Sequence, residues 1–129
     1  WAGKTPVESA RPEMISFYDF LPTVCEMAGV EPPASQKLCG RSYLPLVTNS
    51  PLAKGEVWED LAFGHFRNTE MARDNRFNLV WRNDGEGPNE LYDLRSDSRE
   101  MSNLIDDERF ITVKQRLVER LAAWRERTS

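Results

Sequence analysis

The chain has 129 residues, 40% of them hydrophobic and 29% charged, with 17 Lys plus Arg against 21 Asp plus Glu for a net charge of −4. That is the profile of a globular chain with a real core, and the acidic balance argues against nucleic acid as the main partner, which needs a basic face. No apolar run approaches the roughly 20 residues of a membrane span. The chain opens on Trp1, and "WAGKTPVESARPEM" has no signal-peptide core, so the sequence reads as a piece of something longer.

Residues 1–15 are polar, hold Pro6 and Pro12, and read as an extended arm. "SFYDFLPTVCEMAGVEPP" predicts a short helix with Asp19 as N-cap, Pro22 in the first turn and Gly29 at the close. Leu21, Val24, Cys25 and Ala28 share one face of it, an apolar face needing cover, and Pro32 and Pro33 stop its continuation. In "CGRSYLPLV", Gly40 turns, Ser42 caps one helical turn and Pro45 limits its length; "TNSPLAKG" is a loop by composition. Cys25 and Cys39 are too few for a disulfide framework, and one bridge between them is allowed but not implied.

From Gly55 the period changes from helical to alternating. "EVWEDLAF" puts Val57, Leu61 and Phe63 on one side of a strand, with Glu59 a misfit there. "TEMARDNRFNLVWR" reads as a hairpin turned at Asp74-Asn75, after which Phe77, Leu79 and Trp81 alternate. "NDGEGP" is another turn and "NELYDL" another short strand. The last segment, "DDERFITVKQRLVERLAAWRER", carries Phe110, Val113, Leu117, Leu121 and Trp124 as one stripe, with acids at its start and arginines at its end to match the helix dipole.

The expected fold is therefore α+β: a small antiparallel sheet of about four strands packed by a C-terminal helix and preceded by a short helix. Between the last strand and that helix lies "LYDLRSDSREMSNL". Leu91, Tyr92 and Leu94 anchor it to a core, Asp97 and Glu100 read as a capping box, and Asn103 ends the turn before Leu104 re-enters the core. Each acid has a structural task, and no His or Cys converges on them. The segment reads as a connector.

These residues resemble the C-terminal segment of sulfatases, the sulfuric ester hydrolases of the alkaline phosphatase superfamily. Glu90, Leu91, Tyr92, Asp93, Leu94, Asp97, Glu100, Asn103 and Leu104 match the family's pattern, while Ser98 replaces its usual Pro. Asp19, Pro22, Thr23, Ala28 and Gly29 resemble its D-x-x-P-T-x-x-x-x-A-G segment, and "CGRSYLPLV" its D-G-R-S-L-x-P-L segment with Cys39 for the Asp. The hairpin "MARDNRFNLVWR" resembles the arginine-bearing hairpin before the E-L-Y-D-L strand, with Asn78 where a Lys is common.

The resemblance implies that residues 1–50 are the end of a large α/β domain and residues 51–129 a C-terminal sheet-plus-helix subdomain. It implies as partners the large N-terminal domain and a sulfate-ester substrate, with calcium and a formylglycine residue in the intact enzyme. Neither Cys25, followed by "EMAG", nor Cys39, followed by "GRSY", fits the Cys/Ser-x-Pro-x-Arg motif that yields formylglycine, and the calcium ligands have no counterpart here. The chain alone is thus expected to be inactive. Relatives of this kind are often periplasmic or extracellular; the sequence itself fixes no compartment.

Among chemistry-bearing residues, Asp106-Asp107 reads as a helix cap and Asp74-Asn75 as a turn, not as metal pairs. Trp81 and Trp124 lie on apolar faces and read as core. The remaining pair is His65 and Arg67 in "FGHFRN": both would point to one side of an extended segment, where Arg67 could pair with an anionic substrate and His65 hydrogen-bond beside it. Two other readings compete. One is a free-standing interaction module, or a homo-oligomer, using the uncovered face of the 19–28 helix; the other is the same portion of a phosphodiesterase or phosphonate hydrolase.

Overall fold

The computed structural model describes residues 3–8, 10–32, 38–83 and 85–128; Trp1, Pro33 and Asp84, on which parts of the reading above fall, lie outside them. The backbone clusters into two compact units, whose main stretches are Trp1–Asp60 and Leu61–Arg127. The architecture is α+β, with a four-stranded antiparallel sheet, a long C-terminal helix and a short helix before the sheet.

In the first unit, α1 (Phe20–Ala28) follows a single 3-10 turn, Phe17–Asp19. Asp19 holds the N-cap position of α1 as expected, but its side chain works one turn earlier: Ser16 caps the 3-10 turn, its hydroxyl accepting the Tyr18 N–H at 3.1 Å, while the Asp19 carboxylate reaches back to the Ser16 N–H at 2.7 Å. Asp19 is thus the return half of a capping box and makes no side-chain cap at α1 itself. Its other oxygen accepts the Arg41 N–H at 2.9 Å. The Thr23 hydroxyl donates to the Asp19 carbonyl at 2.6 Å and accepts the Tyr43 N–H at 3.0 Å. Gly40 belongs to the same clamp, because a Cβ there would overlap the Tyr18 carbonyl. Gly29 ends α1 with φ +68°.

The next helix, α2 (Leu44–Thr48), begins after Ser42, whose hydroxyl accepts the Leu44 N–H at 3.1 Å. Pro45 sits in its first turn, where its missing N–H is harmless, and Asn49, at φ +56°, closes the five-residue helix. "VWED" is not a strand. Its Trp58 indole donates to the Met14 carbonyl at 3.1 Å, its Asp60 carboxylate accepts the Met14 N–H at 2.8 Å, and the Arg41 guanidinium lies 3.7 Å over the Trp58 ring. Those bonds hold the segment as a strap, and Val57 is left 80% exposed. The Glu59 misfit therefore marked a strand begun too early.

The second unit holds β1 (Leu61–Phe66), β2 (Thr69–Asp74), β3 (Phe77–Arg82) and β4 (Glu90–Asp93), paired antiparallel in chain order. The β2–β3 turn is built by Asp74, whose carboxylate accepts the N–H groups of Arg76 and Phe77 at 2.8 and 2.6 Å. Register puts Phe63, Ala72, Leu79 and Leu91 in one cross-strand row on one face. Across that face lies α3 (Ile111–Thr128), entered through a 3-10 turn capped by Asp107. Leu117, Leu121 and Trp124 are buried; Trp124 stacks on Phe63 at 5.3 Å, and Phe110 meets Phe77 edge-on at 5.9 Å.

Two substitutions test this packing. Leu117→Ala should cost about 2–5 kcal/mol by leaving a cavity. Ala72→Leu should cost about 1–3 kcal/mol by wedging α3 off the sheet. Urea unfolding followed by tryptophan fluorescence reads both, and an unchanged midpoint for either would contradict α3's seat on this row.

Candidate functional site: the hairpin tip and its scaffold

Among the described residues, two places carry the chemistry singled out in the sequence: the charged segment 89–104 and the β1–β2 hairpin tip. The first is fully employed in structure. Asp93, buried at the end of β4, takes a two-pronged bond from Arg76, Nε to Oδ1 at 3.0 Å and Nη2 to Oδ2 at 2.7 Å. Those bonds hold its carboxyl below the usual range, against a smaller upward push from burial. Asp97 accepts the N–H groups of Met101 and Ser102, both at 2.8 Å. Asn103 accepts from the N–H groups of Leu91 and Ile105 and donates to the Asn89 carbonyl, each at 3.0 Å.

Glu100 departs from the expected capping box. It sits at φ +55° and its carboxylate accepts from the Asn78 side-chain amide at 2.9 Å instead of reaching back to Asp97. Glu90 accepts from Arg82 at 2.7 Å and from the Tyr92 hydroxyl at 2.8 Å, and that hydroxyl, held by Glu90, is pushed up to about 12. Every acid of the motif is a fastener.

The hairpin tip is different in kind. Phe66 pairs with Thr69, so Arg67 and Asn68 form a two-residue turn. Arg67 takes φ +56°, a conformation that costs a non-glycine residue on the order of 1–2 kcal/mol. The turn corrects the expectation that His65 and Arg67 lie along one extended segment. They meet through the backbone: the His65 Nε2–H donates to the Arg67 carbonyl at 2.5 Å, which leaves Nδ1 as an acceptor in the neutral ring. The Arg67 guanidinium instead lies 5.2 Å from the Phe66 ring centre. His65, Phe66 and Arg67 are all exposed.

Beneath the tip, Glu70 pairs across the strands with His65 yet is itself buried. The Arg125 guanidinium clasps it, Nε lying 3.1 Å from both oxygens, and Arg125 also donates to Asn83 at 2.9 Å. Burial pushes the Glu70 carboxyl up, but the hydrogen bonds of Arg125 and Asn83 and the nearby Arg125 and His65 together hold it below the ordinary value. Sequence reasoning passed over Glu70. Its signal was an acid in register with the apolar row of β3, a place where a carboxylate survives only with a partner.

Among the described residues, no group of three or more His, Cys, Asp or Glu side chains is placed to hold a metal ion, and Cys25 and Cys39 are free thiols.

A small antiparallel sheet fastened by the E-L-Y-D-L pattern and packed by one helix defines a C-terminal domain of the sulfatase type. The family model for N-sulphoglucosamine sulphohydrolase, C-terminal, matches residues 1–127, and the chain belongs to that family. No curated protein matches it. Among solved structures it is similar to the phosphonate monoester hydrolase of Agrobacterium radiobacter, at 25% identity and TM-score 0.69 over 86% of this chain and 25% of that one. It is similar in fold to BT4656, solved with its substrate D-glucosamine-2-N,6-O-disulfate, at 24% identity and TM-score 0.68 over 85% of this chain and 24% of that one. The fold is shared too with the sulfatase candidate yidJ of Bacteroides fragilis, at 21% identity and TM-score 0.73 over 99% of this chain and 28% of that one. The chain spans about a quarter of the length of these proteins.

The fasteners make stability depend on acid in a defined direction. Glu70 and Asp93 have lowered folded values, so their contribution is complete above 4.5 and 3.8, their ordinary values, and is lost as pH falls through the lower folded ones. The thermal midpoint should therefore fall steeply below about pH 4, and Glu70→Gln should flatten that fall. An acid limb of equal slope in the variant would remove Glu70 from the set.

Proposed function

We propose that this chain is the C-terminal portion of a sulfuric ester hydrolase, that it completes the fold of the larger enzyme, and that its hairpin tip borders the substrate. The observation that carries the reading is the family match over residues 1–127. A large N-terminal domain supplies the nucleophile, as formylglycine, together with calcium; Arg67 pairs with an anionic group of the sulfate ester, and His65 offers Nδ1 to a neighbouring hydroxyl.

Two features of the chain support this division of labour. The acids of the motif are consumed by structure, whereas His65 and Arg67 are exposed at the tip. On α1 and the turn before it, Phe17, Phe20, Leu21, Val24 and Met27 recur at helical spacing and are exposed, Phe17 at 91%. A stripe of that size is unusual for a self-contained surface. It suits the large domain as its cover better than solvent.

The likeness to a phosphonate monoester hydrolase favours one second reading, in which the intact enzyme cleaves a phosphonate monoester or a phosphate diester with the same C-terminal portion. The two are separated by assay. The full-length protein should release sulfate from p-nitrophenyl sulfate faster than it cleaves p-nitrophenyl phenylphosphonate, and this chain alone should cleave neither. The opposite order selects the second reading, and turnover by the isolated chain removes both. Arg67→Ala in the full-length protein should raise KM about tenfold or more, the value of one charge-assisted hydrogen bond.

A further inference from the structure

The tip carries a third exposed side chain that neither the family match nor the proposed role of His65 and Arg67 assigns. Phe66 is the last residue of β1 and is 71% exposed. A single exposed aromatic means little, but three features of its setting give it a direction. Side chains alternate along a strand, so Phe66 points to the face opposite His65 and Phe63. The turn brings the Arg67 guanidinium to that same side, 5.2 Å from the ring centre, within cation–π range. From the other side, His65 braces the Arg67 carbonyl, and the Thr69 hydroxyl donates to the Asn68 side chain at 3.2 Å.

The consequence is a flat apolar ring and a planar cation held together on a rigid, strained turn. Asparagine at position 67 would occupy φ +56° at lower cost. The turn instead places an arginine there, and unlike Glu100, whose equally left-handed backbone turns its carboxylate to Asn78, Arg67 presents its side chain to solvent, a setting in which retained strain points to function. A guanidinium beside an aromatic face suits one ligand chemistry best: an anionic group borne on a ring, the anion taken by the fork and the ring's face by the phenyl. The brace from His65 means that little ordering remains to be done when the ligand arrives.

We infer that Phe66 is a specificity-determining residue, stacking on the ring of the alcohol portion of the ester while Arg67 holds an anionic group on that ring. The inference rests on the proposed substrate-bordering role of the tip and assigns to Phe66 the discrimination between an ester carried on a ring and one carried on a flexible alkyl chain.

The test is calorimetric binding of phenyl sulfate and ethyl sulfate to the full-length protein, made unable to turn the esters over by changing the formylglycine precursor of its N-terminal domain to Ala, and to the Phe66→Ala, Phe66→Trp and Arg67→Ala variants of that form, with thermal midpoints measured alongside. Phe66→Ala should weaken phenyl sulfate about tenfold, as the loss of one stacked ring does. It should leave ethyl sulfate and the midpoint unchanged, and Phe66→Trp should restore phenyl sulfate binding. Arg67→Ala should weaken both esters. If Arg67→Ala weakens both while Phe66→Ala weakens neither, or both equally, the stacking role falls and the tip reading stands. If Arg67→Ala changes nothing, or the form with Phe66 and Arg67 intact binds neither ester, both fall. A lowered midpoint in Phe66→Ala with unchanged affinities makes the ring a packing residue and overturns the inference.

Discussion

The second unit depends on how α3 is held against β2. Three consecutive core-face positions of that strand are Glu70, Ala72 and Asp74, and the outer two are acids. Arg125 of α3 clasps Glu70, and Arg116 bonds Asp74 at 2.5 Å. The two arginines stand nine positions apart on a helix, a rise of about 13.5 Å. The two acids stand four positions apart on a strand, a rise of about 13.5 Å. The lengths agree, so both pairs close at once, and α3 must run antiparallel to β2. Between them Ala72 is fully buried, 0% exposed, small enough to let the helix come down on the sheet. Apolar burial drives the contact; the ion pairs fix its register and direction, because an acid left under the helix without its arginine would be costly.

The same economy of polar groups runs through the rest of the chain. Asp19 spends both oxygens on backbone N–H groups, that of Ser16 and that of Arg41 twenty-two positions on, and Thr23 links the start of α1 to Tyr43 with one hydroxyl. Asn103 secures Leu91, Asn89 and Ile105. Such residues look like chemistry in a sequence because they are polar and closely spaced. They act as splints, satisfying backbone groups where the chain leaves regular structure and secondary-structure bonds end.

What the sequence revealed and what it hid follow from one distinction. Periodicity reported the elements whose stability comes from burial: the stripe Leu117, Leu121, Trp124 and the alternation Phe77, Leu79, Trp81 both lie where their spacing put them. It failed where side-chain hydrogen bonds decide. "EVWEDLAF" alternates well enough for a strand, but Trp58 and Asp60 are engaged by Met14, so the strand begins only at Leu61. Asp19 has the right type and place for a helix cap, but the 3-10 turn before α1 makes it the partner of Ser16. Glu100 has capping-box spacing, yet its left-handed backbone turns it to Asn78. Of the candidate site, the residue types at 65 and 67 were legible; the turn that separates their side chains was not, because "FRN" lacks the glycine that ordinarily announces a tight hairpin.

That missing glycine bears on function. A hairpin whose only task is to reverse the chain needs no strained residue: the β2–β3 turn has none at positive φ and is tied by the Asp74 carboxylate, which accepts two backbone N–H groups. At the β1–β2 turn the chain keeps an arginine in the strained position and surrounds it with an exposed phenyl ring and an imidazole. The strain is tolerable because the base of the hairpin is locked: Glu70, opposite His65, is buried and clasped by α3, so the energy that fixes the helix also steadies the strand that presents the tip. The bonds that seat α3 thus also hold the strand beneath the exposed His65, Phe66 and Arg67, which is what the role proposed for the tip requires of its base.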